Sequence, residues 1–208
     1  MRTIIIVLTA LSLSACKPGP EIASKENFAA AAQRHFDANP ACYEFGILGP
    51  NAFPADVYIN VGFSYSNEPR PKPELSATLA KGGFSNLREF VNLGFLTAEV
   101  RETPTDKSAE PYYSLHLELT DAGRKHVSPS TTKTGFCYAK VKVLEVSGFT
   151  APVQESSATV SRVQVITQLS DLQPWAKAFS LGIALDVTPQ TREMVFVLRD
   201  SGWLKYEH

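Results

Sequence analysis

The run ATVSRVQVITQLS, residues 158–170, alternates through Val160, Arg162 and Gln164 against Val163 and Val165. A period of two sends successive side chains to opposite faces, so such a segment is stable only as a strand with one face packed and the other wet. FCYAKVKVLEVSGF, residues 136–149, sets Tyr138, Lys140 and Lys142 against Val141 and Val143, with Gly148 marking a turn or bulge. Whatever this chain folds into must contain a sheet that includes both runs. Lys140, Lys142 and Arg162 then fall on one face of adjacent strands, where they form either a modest basic contact patch or a solvated sheet surface.

The rest of the chain adds helices. SKENFAAAAQRHFDAN predicts a helix capped by Ser24, with Phe28, Ala32, His35 and Phe36 at helical spacing and Asn39-Pro40 as its end. CYEFGIL and ADVYINVGFSYS read as strands. ELSATLAKGG and SNLREFVNLG read as short helices, the second capped by Ser85 and stopped by Gly94. FLTAEVRET and YYSLHLELT are two further strands, closed by the turn DAGRKHV. SPSTTKTG reads as a linker, DLQPWAKAFSLGIAL as a helix entered through Asp171, and EMVFVLRDSGWLKY as strand, turn and strand. The expectation is an α+β fold in two small helix-plus-antiparallel-sheet units, 25–127 and 128–208. CYEF and LELTDAG in the first are echoed by CYAK and FVLRDSG in the second. That echo is either a distant duplication or ordinary turn chemistry, since Asp and Gly suit tight turns.

The N-terminus bears on compartment. Arg2 precedes an apolar run from Thr3 to Leu13, shorter than the roughly 20 residues of a spanning helix and typical of a cleavable signal. It ends in Leu13-Ser14-Ala15-Cys16, which resembles the lipobox of bacterial lipoproteins. The resemblance implies cleavage before Cys16, acylation of that residue, a signal peptide at 1–15 and a tether at 16–24 rich in Pro and Gly. Lys17 after the cysteine implies outer-membrane sorting and a folded part in the periplasm or at the cell surface. The CYAK and WAK phrases are also similar to those of uncharacterised proteobacterial envelope lipoproteins, a likeness that carries no activity.

With Cys16 lipidated, Cys42 and Cys137 remain as a pair in an oxidising compartment, where a disulfide is the first expectation and two buried thiols the second. No CxxC motif or ligand-spaced histidine points to a metal.

Residues 73–127, helix–helix–strand–loop–strand ending in LELTDAGR, resemble the winged-helix module of bacterial regulators. DNA binding is the least favoured reading. The chain's formal net charge is −1, whereas phosphate contact calls for a basic excess. SNLREFVNLG offers one Arg beside one Glu.

The sequence holds no GxSxG, no HExxH and no Gly-rich phosphate loop. The four histidines are scattered, with His116 expected to face solvent and His126 to sit in a polar tail. Trp175 and Trp203 are expected as anchors of the second unit or, failing that, as contact residues. The function expected is therefore a membrane-anchored, non-catalytic protein-binding module, an immunity or inhibitor protein being one form of it. It would have an envelope protein partner, no cofactor and no nucleic acid. An envelope enzyme acting on cell-wall material is the alternative.

Overall fold

A computed structural model describes residues 19–46, 48, 52–59, 71–103, 112–128, 134–178 and 185–206. The expected signal and Cys16 lie outside these residues. In chain order the elements are α1 (Lys25–Ala38), β1 (Ala41–Glu44), β2 (Ala55–Ile59), α2 (Leu75–Leu79), a 3-10 turn (Gly82–Phe84), α3 (Ser85–Asn92), β3 (Leu96–Thr103), β4 (Tyr112–Leu119) and α4 (Asp121–Arg124). They continue as β5 (Gly135–Phe149), β6 (Val153–Glu155), β7 (Ala158–Ser170), α5 (Pro174–Ala178), β8 (Gln190–Arg199) and β9 (Gly202–Lys205). The fold is α+β and its sheets are antiparallel. A large sheet runs β1-β5-β7-β8-β9, with β6 pairing β7, and a small one runs β2-β4-β3.

The two alternating runs become β5 and β7, the long strands of the large sheet. Val163, Val165 and, across β8, Met194 and Phe196 face α1 and bury against Phe28, Ala32 and Phe36. Ser24 caps α1 as expected, its hydroxyl accepting the Asn27 N–H at 3.2 Å. The β5 register shifts between Val146 and Gly148, so the glycine marks a bulge. A second shift, between Val143 and Glu145, is immediately preceded by two contacts of Gln33 of α1, which donates to Val141 O and accepts from Val143 N–H. That amide locks the helix to the strand just ahead of its irregular part.

Two elements counted with the first unit, α1 and β1, belong instead to the large sheet. In addition, Phe136 of β5 and Trp175 of α5 bury in the small-sheet core with Phe45, Phe90, Phe95 and Leu117. The SPSTTKTG segment is no free linker at its ends. Val127 bridges to Phe136, and Ser128 N–H donates to Gly135 O at 2.9 Å. Residues 129–133 lie outside the described residues.

Several local expectations change. Ser85 does not cap α3 with its side chain; its hydroxyl donates back to Gly82 O, while Gly94, at φ +71°, does end that helix region. The α5 helix begins at Pro174, and Asp171 takes a positive φ before it. The DAGRKHV phrase opens with a one-turn helix. Thr120 Oγ1 accepts from Gly123 N–H at 3.0 Å and donates to Gly94 O at 2.6 Å. The echoing DSG phrase is instead the β8–β9 turn, where Gly202 sits at φ +98°. The two Asp-small-Gly phrases thus adopt different conformations.

Gly123 is required by proximity: a Cβ there would lie 2.1 Å from the Phe95 carbonyl oxygen. Gly123→Ala is expected to force the Thr120 cap away from the β3 start and cost about 1–3 kcal/mol, the range for overpacking. A denaturant titration reads this directly. A neutral result would mean that the 120–124 turn is not seated against Phe95.

Candidate functional site

An α-helix advances about 1.5 Å per residue and a strand about 3.3 Å, so the 14 residues of α1 cover roughly half the length of the 13-residue β7. Where α1 ends at Asn39, the helix-side face of the sheet runs on uncovered. There it forms a cleft of about 450 Å³ between the α1 C-terminus, β1, β7, the segment before β8, and β8 itself. Its chemistry comes from His35, Glu44, Tyr138, Asp186, Gln190 and Arg192.

Asp186 is committed internally. Its Oδ1 accepts from the Thr188 backbone N–H (2.9 Å) and hydroxyl (2.5 Å), and these bonds hold its carboxyl below the usual carboxylate range. Its Oδ2 accepts from Gln190 Nε2 at 2.7 Å. Gln168 Nε2 donates to Val187 O at 2.7 Å, fixing the 186–190 wall to β7. Burial pushes the Tyr138 phenol above its ordinary value, with Arg192 pulling weakly the other way. The phenol therefore remains a hydrogen-bond donor at neutral pH. No carboxylate lies within ion-pair distance of Arg192 among the described residues. A planar guanidinium with uncommitted donors, next to a phenol, suits a carboxylate or phosphate group.

The cleft adjoins the Cys42–Cys137 disulfide, whose residues face each other across β1 and β5 with sulfurs 2.09 Å apart. Sequence reasoning proposed this bond but missed Arg192. It gave no role to Glu44 or Asp186 and placed Tyr138 only in a strand pattern. No local motif joins residues from α1, β1, β5 and β8.

Of the residues expected at a contact surface, Lys140, Lys142 and Arg162 do share the open face of the large sheet, by the β5–β7 register. Lys140 pairs with Asp171 at 3.0 Å and Arg162 with Glu193 at 3.7 Å, so two of the three cations are offset. Trp175 and Trp203 are buried in separate cores, Trp175 in the small-sheet one, and neither offers a contact surface.

His116, expected to face solvent, is only 8% exposed. Its ring lies between Asp56 Oδ1 and Glu118 Oε1, each 2.9 Å away, on the outer face of the small sheet. The Glu118 bond raises the His116 pKa above 6.5, against desolvation, and the same bond lowers that of Glu118 below 4.5. The raised histidine stabilises the fold fully below its unfolded value, near 6.5, and less as pH rises through the folded value. The lowered Glu118 contributes above about 4.5 and fades as pH falls through its own folded value. The pair is thus strongest between those limits. NMR titration of the His116 ring should give a midpoint above 6.5, which Glu118→Gln moves down; a midpoint at or below 6.5 would refute the pairing. His126, expected in a polar tail, is half-buried and stacks on Phe95 with ring centroids 4.8 Å apart, and burial lowers its pKa.

Among the described residues no three His, Cys, Asp or Glu side chains are placed to hold a metal ion, and no helix is long and apolar enough to cross a membrane. Comparison with family models, curated proteins and solved structures finds no significant match to this chain.

Proposed function

We propose that this chain is a lipid-anchored envelope protein whose folded part is a non-catalytic protein-binding module, with inhibition of an envelope-acting hydrolase as one such role. The Leu13-Ser14-Ala15-Cys16 box supports the anchor, and the Cys42–Cys137 bond fits an oxidising compartment. The observation that carries the binding role is Arg192, an exposed cation with no ion pair among the described residues, in a cleft walled by Tyr138 and the Asp186–Gln190 segment. An acidic side chain or C-terminal carboxylate of a partner protein is the group this cleft would take.

The test is capture of envelope proteins by the purified chain, with Arg192→Glu as the control. A hydrogen bond to a charged group is worth about 1.5–3 kcal/mol, so the substitution should weaken the specific partner about tenfold or more. Undiminished capture by Arg192→Glu would sink the role of the cleft. Turnover of cell-wall material by the purified protein would favour the enzyme reading instead.

The winged-helix reading of 73–127 draws support from one observation. β2, α2, α3, β3 and β4 follow one another with sheet order β2-β4-β3, an arrangement similar to a winged-helix core. We take it as architecture, because Arg88 of α3 pairs with the adjacent Glu89 at 3.5 Å and leaves that helix poor in free cations.

A further inference from the structure

The residues expected to form a loose tether are docked at their distal end. Ile22 N–H donates to Gly19 O at 3.0 Å, and Asn27 Nδ2 donates to Gly19 O at 2.7 Å and to Ile22 O at 2.9 Å. Trp203 Nε1 donates to Glu21 O at 3.2 Å. Gly202, at φ +98°, packs so closely on Pro20 that a Cβ would lie 2.9 Å from the proline's own Cβ and carbonyl oxygen. Residues 19–22 are therefore fastened to the corner made by the α1 N-terminus and the β8–β9 turn.

Only two residues, Lys17 and Pro18, lie between Cys16 and Gly19, so three peptide steps give a covalent reach of about 10 Å at full extension. Acyl chains on Cys16 must lie in the hydrocarbon of the bilayer, so whatever holds Gly19 is held within about that distance of the lipid headgroups. We infer that this corner is the membrane-facing surface of the protein, seated on a phospholipid bilayer through Pro20, Ile22, the β8–β9 turn and Leu204. The inference rests on the lipoprotein reading proposed above. Ile22 is 49% exposed and Leu204 41%; Trp203 turns to the α1 side, so Leu204 beside it projects from the other face of the edge strand β9, and the two large apolar side chains flank that edge. Arg199 and Lys25 are exposed nearby in sequence, next to Asp200 and Glu26, so the charge is mixed. The seating depends on leash length and apolar contact more than on attraction to anionic lipid.

This orientation bears on the cleft. Arg192 and Arg199 are seven residues apart on β8, a separation of about 23 Å along the strand. With the turn beyond Arg199 against the membrane, the cleft is carried toward the opposite end of the sheet, away from the lipid. A leash of this length would make the fold a fixed stand rather than a swinging one.

The experiment uses the full chain, lipidated in cells and reconstituted in vesicles of phosphatidylethanolamine and phosphatidylglycerol. A photoreactive benzophenone side chain in place of Leu204 should cross-link to phospholipid several-fold more than the same side chain in place of Thr188 at the cleft. Inserting a long flexible Gly-Ser segment between Pro18 and Gly19 should bring the Leu204 signal down to the Thr188 level. Equal cross-linking from the two positions, or a Leu204 signal that survives the insertion, overturns the inference. Mass spectrometry of the N-terminal peptide separates this from failure of the underlying reading. If Cys16 carries no acyl group, the lipoprotein reading falls and the seating with it. If Cys16 is acylated and Leu204 stays unlabelled, only the seating falls.

Discussion

A chain carrying both Cys42→Ser and Cys137→Ser is expected to lose about 4 kcal/mol of unfolding free energy, most of what a cross-link closing a loop of about 100 residues supplies in the chain-entropy model. The bond spans 95 residues and encloses β2, α2, α3, β3, β4 and α4, so without it the unfolded chain regains the freedom of the entire small sheet. The native state loses as well. β1 has four residues and, among the described residues, one sheet neighbour, β5, and an edge strand that short holds its register poorly without a covalent pin. Because β1 forms one wall of the cleft, its fraying would also disturb the Glu44 side of the site. Denaturant titration of the double variant, beside the wild type under reductant, checks this. Both should shift by a similar amount, and changing both cysteines avoids a stray thiol. A loss below about 1 kcal/mol would mean that the unfolded ensemble is already compact around this loop, or that the bond is absent in solution.

What could be read in the sequence follows a physical line. Periodicity reports which side chains share a face, and it located β5, β7 and the buried stripe of α1, even to the bulge at Gly148. Capping is equally local, so Ser24 was legible. Ser85 was not, because a 3-10 turn starting at Gly82 claims its hydroxyl. Periodicity does not report what a face packs against. Trp175 lies fewer than ten residues beyond β7, yet it buries among Phe90, Phe95 and Phe136 in the other core. The cleft was illegible for the same reason. It exists because α1 is shorter than the strands it covers, and its residues come from segments whose order in the chain predicts nothing about their meeting. The docking of residues 19–22 was missed because a Pro- and Gly-rich segment reads as tether by composition, while Trp203, whose indole N–H donates to Glu21 O, lies 182 residues away.

Phe136→Ala tests whether the two sheets behave as one cooperative body, and it is expected to cost about 3–5 kcal/mol. Phe136 is a residue of the large sheet by backbone, paired with Tyr43 of β1 and bridged by Val127, but its ring is 0% exposed inside the small-sheet core. Ring centroids of Phe90, Phe95 and Phe45 lie 4.7, 5.4 and 5.6 Å from it, the last at an interplanar angle of 90°. Truncation would remove a buried aromatic from the centre of this cluster and leave a cavity that β5, pinned by the disulfide and by pairing with β7, cannot relax to fill. Two reporters separate the cases. The His116 ring resonance follows the small sheet, and native-state hydrogen exchange of the β7 amides follows the large one. If Phe136 welds them, both reporters lose stability together and unfolding remains a single transition. If the sheets are independent domains, only the His116 reporter moves and β7 protection stays at the wild-type level. We expect the first outcome, because the backbone that presents Phe136 to one core is the same strand that builds the other.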